Sequence, residues 1–170
     1  MPRIDKIDPK TASPEVCDAI NAHLEQGYRI TNEKLTLLHN VASFEALEVQ
    51  SYAVDRELQR LVGKRAADFF EYAISLENDC LVCSAYFTNL LKKNGIDDFD
   101  SFDFTDDERL LIEYGRALAN DPKSISDELF ARLKGRFSDE TIVVLTTMGV
   151  FMIANNVFND ALQVEPEALL

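Results

Sequence analysis

The chain predicts an all-α protein, a single-domain helical bundle with a long apolar C-terminal helix. Three observations carry this. Cap residues and glycines cut the chain into stretches of helical length. Apolar residues inside those stretches recur at three- and four-residue spacing. Only six Gly and five Pro are spread over 170 residues, too few for a sheet built on many tight turns. No convincing strand and no internal boundary interrupts the series, so we expect one domain over 1–170 with a motif-bearing core at about 31–165. A chain of this size buries roughly 70% of its unfolded surface and needs neither disulfide nor metal to hold a core.

The elements follow in order. Ser13-Pro14-Glu15 supplies an N-cap, a proline at the first helical position and an early acid, and Gly27 ends that segment. Thr31 opens a short helix carrying Leu35, Leu38 and His39. Ser43 starts a longer one through Phe44, Leu47, Val54, Leu58 and Leu61, closed by Gly63. From Lys64 to Leu76, Ala67, Phe70, Ala73 and Ile74 keep helical spacing. Glu77-Asn78-Asp79 breaks the pattern and offers Asn78 or Asp79 as the next N-cap. The helix from Cys80 to about Lys93 then places Cys80, Cys83, Tyr86, Phe87, Leu90 and Leu91 on one face, and Gly95 stops it.

Ile96 to Phe104 is an acidic, Phe-rich connection. It lacks the glycine and terminal Glu of a calcium loop. Thr105 with Glu108 forms a capping box for a helix running towards Asn120, before Pro122. Ser124 or Ser126 caps a short helix reaching Leu133, ended by Gly135. Ser138-Asp139-Glu140 opens the last helix, to about Leu162; its ~24 residues give roughly 36 Å of helix. Ile142, Val143, Leu145, Met148, Val150, Phe151, Ile153, Val157 and Phe158 cover nearly its whole circumference. This predicts a central core helix with one side in a subunit interface.

Acidic residues outnumber basic ones by 30 to 17, for a net charge of −13. Such a surface repels phosphate backbones and anionic lipid, so no nucleic acid and no membrane partner is expected. The first residues have no apolar h-region, and the apolar stretch Ile142 to Ala154 is short for a span. Three cysteines, an odd number, do not form a secreted disulfide framework. The expectation is a cytoplasmic protein.

Cys80-Leu81-Val82-Cys83 is the strongest chemical motif. Two sulfurs three residues apart on a helix share a face and can pass between dithiol and disulfide, while a helix N-terminus stabilises a thiolate. Half a zinc site or two inert core cysteines would read the same. Zinc needs two further ligands; Cys17, His23 and His39 are the other soft candidates, and none sits in a second paired motif. No metal and no cofactor is expected. Taken singly, Cys17 and His39 read as packing residues, and Asp97 to Asp103 as a solvated loop.

The run Glu71-Tyr72-Ala73-Ile74-Ser75-Leu76-Glu77-Asn78-Asp79-Cys80-Leu81-Val82-Cys83 resembles the signature of the carboxymuconolactone decarboxylase family, and more closely its alkylhydroperoxidase D-like, peroxidase-related branch. Asp107-Glu108-Arg109-Leu110-Leu111, Ser138-Asp139-Glu140-Thr141-Ile142, and Asn155-Asn156 through Asp160-Ala161-Leu162 agree. The likeness runs from about Thr31 to the C-terminus. It implies an all-α fold, a homo-oligomer (dimer, trimer or hexamer), and a thiol peroxidase or disulfide oxidoreductase acting on a peroxide or disulfide. In the family site a Glu and a His relay the proton that activates the attacking cysteine. The Glu position falls here at Asp68, with Glu71 nearly one turn later; the His position falls at Phe87, which carries no proton. The alternative reading is a non-catalytic or ligand-binding helical oligomer that retains the fold. A missing general base costs about 10²–10⁴-fold in rate; Tyr86, Glu71 or His39 could substitute.

Overall fold

In the computed structural model, which describes residues 1–167, ordered caps turn the sequence into α-helices with no strand among the described residues. They are α1 (Pro14–Glu25), α2 (Asn32–Leu37), α3 (Val41–Phe44), a π-helical turn (Glu45–Val49), α4 (Gln50–Val62), α5 (Lys64–Glu77), α6 (Leu81–Lys93), α7 (Asp106–Asn120), α8 (Asp127–Arg136) and α9 (Asp139–Leu162). Ser13, Thr31, Ser126 and Ser138 each accept a backbone N–H of their own first turn. Thr105 and Glu108 close the capping box, and Glu108 also takes Arg65 Nε at 2.7 Å.

Several boundaries differ from the sequence reading. The third segment begins at Asn40, not Ser43: Asn40 Oδ1 accepts both the N–H and the hydroxyl of Ser43. It then passes through the π turn into α4, so what reads as one helix is three pieces. Gly135 lies inside α8 and has no positive φ; the helix ends at Arg136. Cys80 is not the first helical residue but the N-cap of α6.

The central helix is α5 rather than α9. Every residue from Ala66 through Ser75 is buried, because α4, α6, α7 and α9 pack around it. Small residues permit this. A Cβ on Gly115 would lie 3.1 Å from the Phe70 carbonyl oxygen, and one on Gly149 2.4 Å from Leu118 Cδ2. An aromatic group from the 96–104 connection, Phe99, Phe102 and Phe104, closes edge-on around Phe69. By length and composition α9 could cross a membrane. Here it lays Ile142, Leu145, Met148 and Met152 into the core and leaves Val143, Val150 and Val157 exposed. A smaller apolar cluster, Val16, Ile20, Leu37, Leu38 and Phe44, fixes α1–α3 against Phe158.

Candidate active site

The cysteine motif is built on a tight reversal. After α5, Asp79 takes a left-handed conformation (φ 54°) that short polar side chains tolerate. It swings the chain so that Cys80 N–H reaches Ser75 O at 3.1 Å and Cys80 becomes the N-cap. Both thiols are free and buried. The Cys83 thiol faces the Cys80 sulfur. That hydrogen bond lowers the Cys80 pKa against the cost of burial, helped by the backbone N–H groups of Cys83 and Val82 at the helix start. The proton is held on Cys83, whose pKa is raised by the same bond, by burial and by the charge of Glu33. The two sulfurs thus behave as one dithiol with a single easily lost proton.

Cys80 is fully enclosed, while Cys83 lines a cavity of about 460 Å³. Tyr28, Tyr52, Tyr86, Phe87, Leu90, Met148 and Met152 give the cavity its apolar walls. Phe87 packs against Tyr86 (centroids 5.2 Å, edge-on) and Tyr72 (6.0 Å), so the expected histidine position is filled by ring contacts. Asn159 on α9 donates through Nδ2 to Cys83 Sγ at 3.4 Å.

Two acidic groups share these walls. On one side Glu71 is buried, with its pKa raised well above the usual range by burial and by the charges of Asp55 and Asp68. Glu71 lines the cavity; Asp68 does not, and is held by Lys64 Nζ at 2.7 Å. On the other side Glu33 of α2 has its pKa raised to about 8, by burial first and then by Glu48, while the Asn159 amide lowers it. Glu48, presented by the π turn, accepts the Tyr52 hydroxyl at 2.7 Å and pairs with Lys34 Nζ at 3.4 Å. Burial lowers the pKa of His23, which stands behind Tyr52 (Nε2 to hydroxyl 3.4 Å).

Of the residues named from the sequence, Cys83, Glu71, Tyr86 and Phe87 meet at one cavity, with Cys80 directly behind Cys83. His39 is exposed and bonded to Asp5 O at 2.7 Å, so it is neither a core nor a cavity residue. Cys17 lies in α1, its sulfur near Ala12 O at 3.8 Å. Among the described residues no group of three or more His, Cys, Asp or Glu side chains is arranged to hold a metal ion. Glu33 and Asn159 escaped the sequence reading. Glu33 looks like an ordinary first-turn acid behind the Thr31 cap. Asn155, Asn156 and Asn159 did carry a signal: three amides in an otherwise apolar helix need buried partners.

The fold defines a helical protein with the alkylhydroperoxidase D-like fold. The chain is similar to the crystal structure of a peroxidase-related protein from Silicibacter sp. TM1040, with a TM-score of 0.73 at 15% identity, covering 96% of this chain and 92% of that one. It is similar as well to a peroxidase-related protein from Ralstonia eutropha JMP134, described as an alkylhydroperoxidase AhpD core, with a TM-score of 0.74 at 16% identity, covering 98% and 93%. No family model and no curated protein matches the sequence.

Proposed function

We propose that the chain is a thiol-dependent peroxidase or disulfide oxidoreductase that cycles Cys80 and Cys83 between dithiol and disulfide. The observation that carries the reading is the pair of buried, free thiols at the head of α6, which titrate together, with only the second on the cavity wall. Access makes Cys83 the attacking sulfur and Cys80 the resolving one. The dithiol loses one of its two protons, and the charge moves to Cys83 as the remaining proton passes to Cys80. Asn159 N–H supports the charge on Cys83. Attack on a hydroperoxide forms an S–O bond as the O–O bond breaks. Cys80 then displaces the sulfenic oxygen as water, and a dithiol reductant restores the pair. The peroxidase-related neighbours support this assignment at the level of fold.

Reduced protein should consume cumene hydroperoxide with dithiothreitol as donor, and Cys80→Ser and Cys83→Ser should each stop turnover. Equal rates in the wild type and both serine variants would remove the assignment. One observation favours a second reading: the four aromatic rings and two methionines on the cavity wall, with Phe87 at the relay position, offer an apolar face to a small ligand bound without chemistry. Thiol titration separates the two, because a binding protein would leave both thiols at or above the free value and form no disulfide under mild oxidant. We further propose a cytoplasmic homo-oligomer with α9 in the interface.

A further inference from the structure

We propose that Glu33 is the proton donor of the cysteine site: its carboxyl, on the wall it shares with Cys83 and linked to it through Asn159, protonates the oxygen that leaves when Cys83 attacks a hydroperoxide. The proposal rests on the peroxidase reading above and adds the group that reading lacks, since Phe87 cannot move a proton.

Three features of the structure converge on Glu33. It is buried, and its Oε1 has no hydrogen-bond partner although the residue lines the cavity beside Cys83. An unpaired acid in such a place is costly unless it is neutral or in use. The amide that donates to Cys83 Sγ is also close enough to the Glu33 carboxyl to lower its pKa, so Asn159 stands between the nucleophile and the acid. Third, α2 is only six residues long but is tied at both ends of the chain. Asn32, next to Glu33, receives Lys6 Nζ at 2.6 Å, gives its N–H to Glu167 Oε1 at 2.5 Å, and gives Nδ2 to Glu165 O at 3.1 Å. That anchoring holds the carboxyl in place.

The charged and titratable groups around Glu33 are Glu48 from the π turn, Tyr52 from α4, Lys34 on its own helix, and Cys80 and Cys83 from α6. Burial and Glu48 keep the carboxyl protonated up to about pH 8. At neutral pH the dithiol can therefore carry a thiolate without a second negative charge beside it, and an acid is present when the O–O bond breaks. The step balances. Cys83 thiolate, ROOH and Glu33 carboxylic acid become the Cys83 sulfenic acid, ROH and Glu33 carboxylate. Sulfur is oxidised by two electrons, oxygen is reduced, and solvent returns the proton to Glu33.

The test is single-turnover oxidation of reduced protein by cumene hydroperoxide from pH 6 to 10, beside alkylation of Cys83 by iodoacetamide in Cys80→Ser backgrounds. In the wild type the peroxide rate should fall as pH rises through about 8, whereas alkylation, which needs no proton donor, should not. Glu33→Gln should lose on the order of 10²-fold or more in the peroxide step, together with that alkaline limb. Its alkylation should stay within a few-fold, with a midpoint at lower pH because a nearby charge is gone. Glu33→Asp should recover part of the rate and the limb. Wild-type protein inert to peroxide overturns the peroxidase reading and the donor with it. An active wild type without the alkaline limb, or an unchanged Glu33→Gln, overturns the donor alone. Alkylation falling in step with the peroxide rate also overturns it, because Glu33 would then only hold the site together.

Discussion

At Cys83 the environment opposes ionisation: burial, the neighbouring sulfur and Glu33 all raise its pKa, and one neutral amide, Asn159 Nδ2, pulls the other way. Hydrogen bonds to a charged group contribute about 1.5–3 kcal/mol, so that amide alone sets one to two decades of thiolate population. Asn159→Leu, close in size, should therefore raise the Cys83 pKa and slow its iodoacetamide alkylation at pH 7 by roughly 10–100-fold. An alkylation profile that superimposes on the wild type would show that the amide does not bear on the sulfur. Residue chemistry was only half legible in the sequence. The thiol pair stands out because its spacing is local. Glu33 and Asn159 lie 126 residues apart in the chain and come near each other only in the tertiary fold, which no single-segment pattern encodes. His39 misled for the opposite reason: its spacing from Leu35 promised an inward face, but α2 ends at Leu37 and the ring turns to solvent.

Among the elements, the approach of α7 and α9 to α5 is set by the side chains missing at Gly115 and Gly149. Gly149 faces Leu118 and Phe70, and Gly135 on α8 faces open space in an ordinary helical conformation. One substitution should thus act with opposite signs at the two sites. Gly135→Ala should stabilise by up to ~1 kcal/mol through helix propensity. Gly149→Ala gains the same propensity but forces a methyl to within 2.4 Å of Leu118 Cδ2. Overpacking of that kind costs about 1–3 kcal/mol, leaving a net loss. Urea unfolding of the two variants checks this, and matching stability changes would show that the α7–α9 contact yields freely. Capping made most elements legible beforehand: Ser13, Thr31, Thr105 and Ser138 cap as read, and of Ser124 and Ser126 the second does. The π turn was not legible, because an extra residue per turn leaves apolar spacing nearly unchanged over five residues. Nor was the centrality of α5, since Asp68, Glu71 and Tyr72 look like a solvent face until the helices packed around them are known.

For the molecule as a whole, two features outside any one site set behaviour. The first is the burial of acids, Glu33 and Glu71 foremost. Both Glu33 and Glu71 have pKa values raised above the unfolded range, Glu33 to about 8, so the folded chain binds more protons than the unfolded one between about pH 4.5 and 8. The stability they support is complete below that window and is lost as pH rises through it. His23, with a lowered pKa, acts in the opposite direction below about pH 6.5. The melting temperature should therefore fall most clearly from pH 6.5 to 8.5, and Glu33→Gln with Glu71→Gln should flatten the slope; a flat wild-type profile would contradict the burial of both acids. The second feature is the outer side of α9. Val143, Thr147, Val150, Ala154, Val157 and Ala161 follow one another at spacings of four and three, the heptad pattern of a helix–helix seam. The three valines stay 64%, 57% and 60% exposed, and burying each against a second copy would contribute on the order of 1.5–3 kcal/mol. The inward side, with Met148, Met152, Asn155 and Asn159, belongs to the cysteine site. Charge placed on the seam should therefore separate subunits without touching the thiols. Val150→Glu should convert an oligomer to monomer in sedimentation equilibrium at micromolar concentration while Cys83 alkylation stays at the wild-type rate. A wild type already monomeric under those conditions would leave the seam as ordinary apolar surface.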